Sequence, residues 1–169
     1  MRSLAFIPLA LLLASCATLS EDQCQRGNWG GIGLADGREG RDADFIAQHA
    51  KACADFGIAP DAAAWEAGRQ EGLKAYCTPR NAWEEGARGV ILKDVCVNAA
   101  ELRDDNRRGL RYHRITREIA SLEADIRSIN ATLSTLPEGD PSRAALVSER
   151  AAIRLEIMSL RTDAMLARY

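Results

Sequence analysis

The sequence predicts an all-α protein: a small disulfide-stapled helical domain followed by a long antiparallel helical hairpin of coiled-coil type. Three observations lead to that expectation. Several short stretches in the first half open on helix-capping residues. Four cysteines, Cys24, Cys53, Cys77 and Cys96, fall in the same half, and two apolar seams of matched heptad spacing flank a short Pro/Gly loop in the second.

The chain begins with Arg2 and an apolar run over residues 4–13, too short to span a bilayer. Leu13-Ala14-Ser15-Cys16 then resembles the bacterial lipobox. The resemblance implies a lipoprotein signal peptide over residues 1–15, acylation of Cys16 with palmitate among the chains, and a lipid-anchored linker over residues 16–23. Ala17, where Asp would retain a lipoprotein in the inner membrane, implies the outer membrane and a protein facing the periplasm. Two or three acyl chains at about 0.8 kcal/mol per buried CH₂ suffice for stable anchoring.

With Cys16 set aside, an even number of cysteines in an oxidising compartment favours disulfides. Their separations contain no Cys-x-x-Cys or His-x-x-x-His knuckle, so neither a metal nor a cofactor is expected. Sequential pairing, Cys24 with Cys53 and Cys77 with Cys96, is the preferred one of the three pairings open to four cysteines.

Residues 24–97 read as a Gly/Trp-rich domain of short helices. One covers about residues 29–37. A second runs over about 44–55 with Gly57 as its stop, a third follows Asp61 to about residue 76, and Thr78 with Pro79 at the first helical position opens a fourth to about residue 88. Glycine inside a helix costs about 0.8–1 kcal/mol against Ala, so its recurrence after tryptophan needs a cause. Trp29 precedes Gly33 and Gly37, Trp65 precedes Gly68 and Gly72, and Trp83 precedes Gly86 and Gly89. The pattern is expected to form knobs and notches for helix packing; carbohydrate stacking on the rings is the competing use. Asp36, Arg69, Gln70 and Glu71 inside the Gly-x-x-x-Gly stretches argue against a membrane span.

Residues 98–169 form the predicted hairpin. Asn98 with Glu101 makes a capping-box-like start. Ile115, Ile119, Leu122, Ile126, Ile129, Leu133 and Leu136 then step by four and three, the loop at residues 137–141 breaks the helix, and Asp140-Pro141 caps the next. Leu146, Arg150, Ile153, Ile157, Leu160, Ala164 and Ala167 form the answering seam, in arms of roughly 27 residues or about 40 Å. The small Ala164 and Ala167 call for further packing from the cysteine domain, and oligomerisation through the same seam is the alternative to the hairpin.

Little in the chain points to catalysis. The formal net charge of −2 is too balanced for a nucleic-acid binder. His49, four residues before Cys53, is expected to be a structural histidine beside a disulfide, with a Cys/His nucleophile pair as the alternative. His113 is expected to be solvated. Asp36, Glu39, Asp42 and Asp44 lack EF-hand spacing and are expected to serve as caps in a solvated loop. Arg107, Arg111 and Arg114 share one helical face and could meet anionic phosphate, against the plainer expectation of a solvated face balanced by Glu101, Asp104, Asp105 and Glu118.

Together these residues resemble a family of small Gram-negative envelope lipoproteins, domain of unknown function 2799. The likeness rests on Trp29, on His49 and Cys53, on Trp65, Gly68, Gly72, Leu73, Tyr76 and Cys77, and on Gly86, Gly89, Val95 and Cys96. Asn106-Arg-Arg-Gly109-Leu-Arg-Tyr112 matches a further element, with Asn106 where an aromatic is usual. The family transfers no activity. The expectation is therefore a non-enzymatic structural or protein-interaction module, held to the membrane by its lipid and meeting an envelope protein through the hairpin. A binding module for wall glycan or anionic lipid phosphate is the alternative.

Overall fold

The computed structural model describes residues 17–168; the expected signal peptide and Cys16 lie outside them. The described residues form helices and loops without a strand: α1 (Glu21–Arg26), α2 (Trp29–Arg38), a 3₁₀ turn at Ala43–Phe45, α3 (Ile46–Ala54), α4 (Ala62–Tyr76), α5 (Pro79–Ala87), α6 (Ala99–Thr135) and α7 (Ser142–Leu166).

The helix starts follow from their caps. The Asp61 carboxylate accepts the Ala64 N–H at 2.9 Å, and the Thr78 hydroxyl accepts that of Asn81 ahead of Pro79. Gly57 stops the third helical segment at φ +69°, a conformation that other residues rarely adopt. Two expectations need correction. Residues 16–23 are not a linker throughout, because Leu19 is 6% exposed in the core and Ser20 with Gln23 forms a reciprocal capping box that opens α1. Asn98 stands at the start of α6 but its side chain makes no capping bond.

Both disulfides have the sequential pairing, Cys24–Cys53 and Cys77–Cys96. The doubled Trp-x-x-Gly unit builds two helix pairs of the same design, α2 with α4 and α5 with α6. A Cβ on Gly33 would overlap the carbonyl of Trp65 and crowd the amide of Arg69; one on Gly109 would meet Trp83 and Ala87 in the same way. Reciprocally, Gly68 is pressed on the Gly30 carbonyl and Gly86 on that of Asn106. The glycines are thus notches through which backbones touch, four at the α2/α4 crossing (Gly33, Gly37, Gly68 and Gly72) and two at the α5/α6 crossing (Gly86 and Gly109).

Around the first pair, Leu19, Cys24, Trp29, Cys53 and Trp65 form one core cluster. A second, of Leu73, Tyr76, Ala82, Cys96, Ala99 and Leu102, joins α4 to α5 and α6. The first turns of α6 therefore belong to the head of the molecule, although the sequence boundary at 97/98 assigns them to the hairpin.

Beyond the head, α6 and α7 pair as the seams require. Ile115, Ile129, Leu133, Ile157, Ala164 and Ala167 are buried, and the other seam positions are half-buried. Arg150, the polar seam residue, donates to Asn130 Oδ1 at 2.6 Å. Arg143 donates to the carbonyls of Leu133 and Leu136, satisfying groups that the end of α6 leaves without helical partners. The packing expected beside Ala164 and Ala167 comes from Trp83, whose indole N–H donates to the Ala167 carbonyl at 2.9 Å. None of these helices is long and apolar enough to cross a membrane.

Candidate functional site

Three places on the molecule could carry function: a buried polar chain near the N-terminus, the arginine face of α6, and the outer face of α7.

The polar chain runs from Thr18 through His49 to Asp36 and Trp65. The α2/α4 crossing brings Asp36 and Trp65 together, and the Cys24–Cys53 bridge holds α3 over them so that His49 points inward. Asp36 Oδ2 accepts from His49 Nε2 at 2.8 Å and from the Trp65 indole at 2.7 Å. A carboxylate oxygen only accepts, so the ring proton sits on Nε2 in the neutral ring and Nδ1 accepts from the Thr18 hydroxyl at 2.9 Å. His49 is 2% exposed. Asp36 is thus a buried hydrogen-bond acceptor, not the solvated loop residue expected from its acidic neighbours. Cys53 is oxidised, so the Cys/His nucleophile pair is absent.

A groove of about 550 Å³ opens over this chain, with Gln23, Arg26, Asn28 and Glu39 on its rim and Ile32 on its wall. Hydroxyl, imidazole and carboxylate are the residue types of a hydrolase triad. As in a triad, both ring nitrogens are engaged, one by the hydroxyl and one by the carboxylate, but here the carboxylate is also shared with the Trp65 indole and the imidazole is buried. What such a chain does mechanically is clamp the segment at Thr18 and Leu19 to the core. Among the described residues no group of three or more His, Cys, Asp or Glu is placed to hold a metal ion.

A neighbouring polar side chain is Arg69, buried in α4; it donates to both Glu66 oxygens and to the Arg41 carbonyl. The guanidinium holds the Glu66 carboxyl below its ordinary range, against the opposing effect of burial.

The tryptophans are used in packing. Trp29 and Trp65 are buried, and half-buried Trp83 lies against Tyr112 with ring centroids 5.4 Å apart. A glycan platform would need free ring faces, which Trp29 and Trp65 do not offer. His113 is half-buried, not solvated: Gly89 lies against its ring and its Nδ1 donates to the Ala87 carbonyl at 3.1 Å. Asn106 is 4% exposed and every polar atom of its amide is used. Its amide donates to the carbonyls of Ala82 and Val90 and accepts from Leu92 N, tying the 90–92 loop to the α5/α6 crossing.

On the arginine face, Arg107 pairs with Asp104 and Arg108 with Asp105, as a solvated, self-balanced surface requires. Arg111 and Arg114 are exposed on the same face.

The third place escaped the sequence reading. Val147, Leu155, Met158, Met165 and Leu166 on α7 are between 45% and 68% exposed. With Ala144, Ala151 and Thr162 they form a second stripe on the side of α7 turned away from α6. The spacing could have revealed it, since Ala144, Ala151, Met158 and Met165 lie seven apart. The outward side of α6 has no such stripe: Arg117, Glu118, Ser121, Asp125 and Arg127 are exposed there.

Residues 28–111 match a family model described as protein of unknown function (DUF2799). No curated protein and no solved structure matches the chain. The matched residues cover the two glycine crossings and stop within α6, short of the hairpin.

Proposed function

We propose, for a chain whose residues 28–111 carry that domain of unknown function, a non-enzymatic role as a lipid-anchored protein of the outer membrane facing the periplasm, with α7 as its protein-interaction surface. The observation that supports this most directly is the exposed apolar stripe on α7. Large apolar side chains repeated along one helical face, on a hairpin whose inner seam is already closed, are characteristic of a surface that another protein covers. The head has a complementary part. Thr18, clamped by His49, lies two residues after Cys16, so acyl chains at Cys16 would hold the head close to the lipid surface.

The sequence leads to the expectation of a partner met through the hairpin, whose inner seam includes Ile126. Ile126 is half-buried, and the interaction surface we propose lies instead on the side of α7 turned away from α6. The test has two parts. Intact mass of protein extracted from its own membranes without reductant is expected to show acyl chains on Cys16; an unmodified thiol removes the anchor. A photo-crosslinker at Leu155 in membranes is expected to give a discrete adduct that disappears when Met158→Asp is added. Crosslinking indifferent to Met158→Asp removes the interaction surface.

A further inference from the structure

The groove above the buried polar chain offers more than the clamp at Thr18 requires. Asn28, Ile32, Ala35 and Glu39 lie on one face of α2, at spacings of four, three and four. The groove therefore follows that helix for eleven positions, or about 16 Å. Thr18, Leu19 and Arg26, from the chain before α2, complete its lining. Its volume of about 550 Å³ is that of a small-molecule site. Leu19, Ile32 and Ala35 supply an apolar stretch, while Asp36, Glu39 and the Thr18 hydroxyl supply hydrogen-bond acceptors.

Asp36 sets the chemistry. It is 8% exposed, and both donors that reach it, His49 Nε2 and the Trp65 indole, bond to the same oxygen, Oδ2. Oδ1 accepts no hydrogen bond among the described residues and is open to solvent through the groove that Asp36 lines. Two other charged groups of the lining are matched already, Glu39 by Arg41 and Arg26 by Asp22. Asp36 has no Lys or Arg beside it among the described residues; His49 is its one ion-pair neighbour. A buried carboxylate with an unused oxygen favours a donor, and a cationic donor most, because charge-assisted bonds are about twice as strong as neutral ones. We propose that the groove binds a small molecule carrying a primary ammonium group, which donates to Asp36 Oδ1 while the apolar part of the molecule lies along Leu19, Ile32 and Ala35. An ammonium has three donors, and the Thr18 oxygen, whose proton goes to His49 Nδ1, keeps lone pairs for a second bond. A metal ion is the poorer occupant, since among the described residues no three His, Cys, Asp or Glu converge to hold one. A free amine and the ethanolamine headgroup of a phospholipid present the same ammonium, and the groove begins two residues after Cys16. Bound at both Thr18 and Asp36, the ligand reinforces the clamp on the segment that leads to Cys16.

The experiment titrates butylamine into the full chain, extracted with its disulfides intact into a non-ionic detergent, and follows the backbone amides by nuclear magnetic resonance. Saturable shifts are expected at Thr18, Gly31, Ile32 and Ala35, with butanol about tenfold weaker and butyrate without effect. Asp36→Asn keeps an oxygen for His49 and Trp65 and leaves its amide to face the groove. It is expected to weaken butylamine binding about tenfold or more while the rest of the amide spectrum is retained. Ala35→Trp, at an exposed position of the lining, is expected to block binding without changing the helical circular-dichroism signal. Butanol as effective as butylamine, or binding indifferent to Asp36→Asn, overturns the ammonium site. Should Asp36→Asn disturb the fold, Ala35→Trp decides: binding that survives it, or shifts confined to amides outside the groove, overturns the proposal. Micelles doped with a short-chain phosphatidylethanolamine, against the phosphatidylcholine of equal chain length, separate the two sources. The same amide shifts with the first lipid alone assign the headgroup, and shifts with butylamine but neither lipid assign a free amine.

Discussion

Gly33 and Gly109 occupy equivalent positions in two helix pairs, and each faces the carbonyl of a Trp-x-x-Gly helix where a methyl group has no room. The obstacle is backbone, which cannot swing aside as a side chain would. Gly33→Ala is therefore expected to destabilise the oxidised protein by about 3 kcal/mol or more, the upper range for overpacking a core. Gly139→Ala, in the hairpin loop with nothing within 4 Å, is expected to stay within about 0.5 kcal/mol. Urea midpoints of the two variants measure the contrast, and equal values would refute the notch. Tyr76 supplies a pH-dependent counterpart. Its hydroxyl accepts from the Lys93 N–H at 3.3 Å, its ring lies against Gly40, and burial pushes the phenol above its ordinary value. A folded state that holds this proton more tightly than the unfolded chain is favoured while the phenol is protonated in both. The advantage is lost as pH rises from about 10 through the folded value. The stability difference between the native protein and Tyr76→Phe is expected to shrink or reverse between pH 9 and about pH 11, followed by denaturation in parallel. A difference that does not vary with pH would show that Tyr76 does not titrate in this range.

Among the elements, those governed by local chemistry could be read from the sequence, and those governed by distant contacts could not. Asp61, Thr78 with Pro79, and Gly57 determine helix ends through bonds within a few residues, and each acts where its residue type predicts. The two seams were legible because seven repeated positions per arm specify a face without knowledge of the rest of the fold. The glycine notches were legible as notches but not in their pairing: nothing local says that Gly33 meets α4 while Gly109 meets α5. Helix α1 was missed although Ser20 and Gln23 carry its capping box, because residues 16–23, starting at an expected anchor cysteine, read as tether. Asp36 and His113 were assigned to solvent by their charged neighbours along the chain, whereas tertiary partners decide both: His49 and Trp65 for one, Ala87 and Gly89 for the other. The outer stripe of α7 was in the pattern all along. One apolar seam per helix satisfies a hairpin, and a second becomes significant only once the first is seen to be filled.

At the scale of the whole molecule, the head consists of two glycine-crossed helix pairs, each associated with its own disulfide but joined differently. Cys24–Cys53 ties α1 to α3, which pack around the first pair through Trp29 and Trp65. Cys77–Cys96 links the end of α4 to the segment just before α6, and so sits at the junction of the two pairs beside Tyr76, Ala82 and Leu102. Lys93 strengthens that junction, since its ammonium donates to the Glu39 carbonyl at the end of α2. Removing one bridge should therefore have local consequences and removing the other global ones. Cys24→Ser with Cys53→Ser, opening a loop of 29 positions, is expected to cost about 3–4 kcal/mol. The loss should be concentrated in α1, α2, α3 and α4, with amide exchange in α5 and the first turns of α6 still slow. Cys77→Ser with Cys96→Ser is expected to cost a similar amount but to speed exchange in both pairs together, because it releases the contact through which each supports the other. If both double variants accelerate exchange uniformly from α1 to α7, the head unfolds as a single unit. The junction at Cys77–Cys96 then has no special place in its stability.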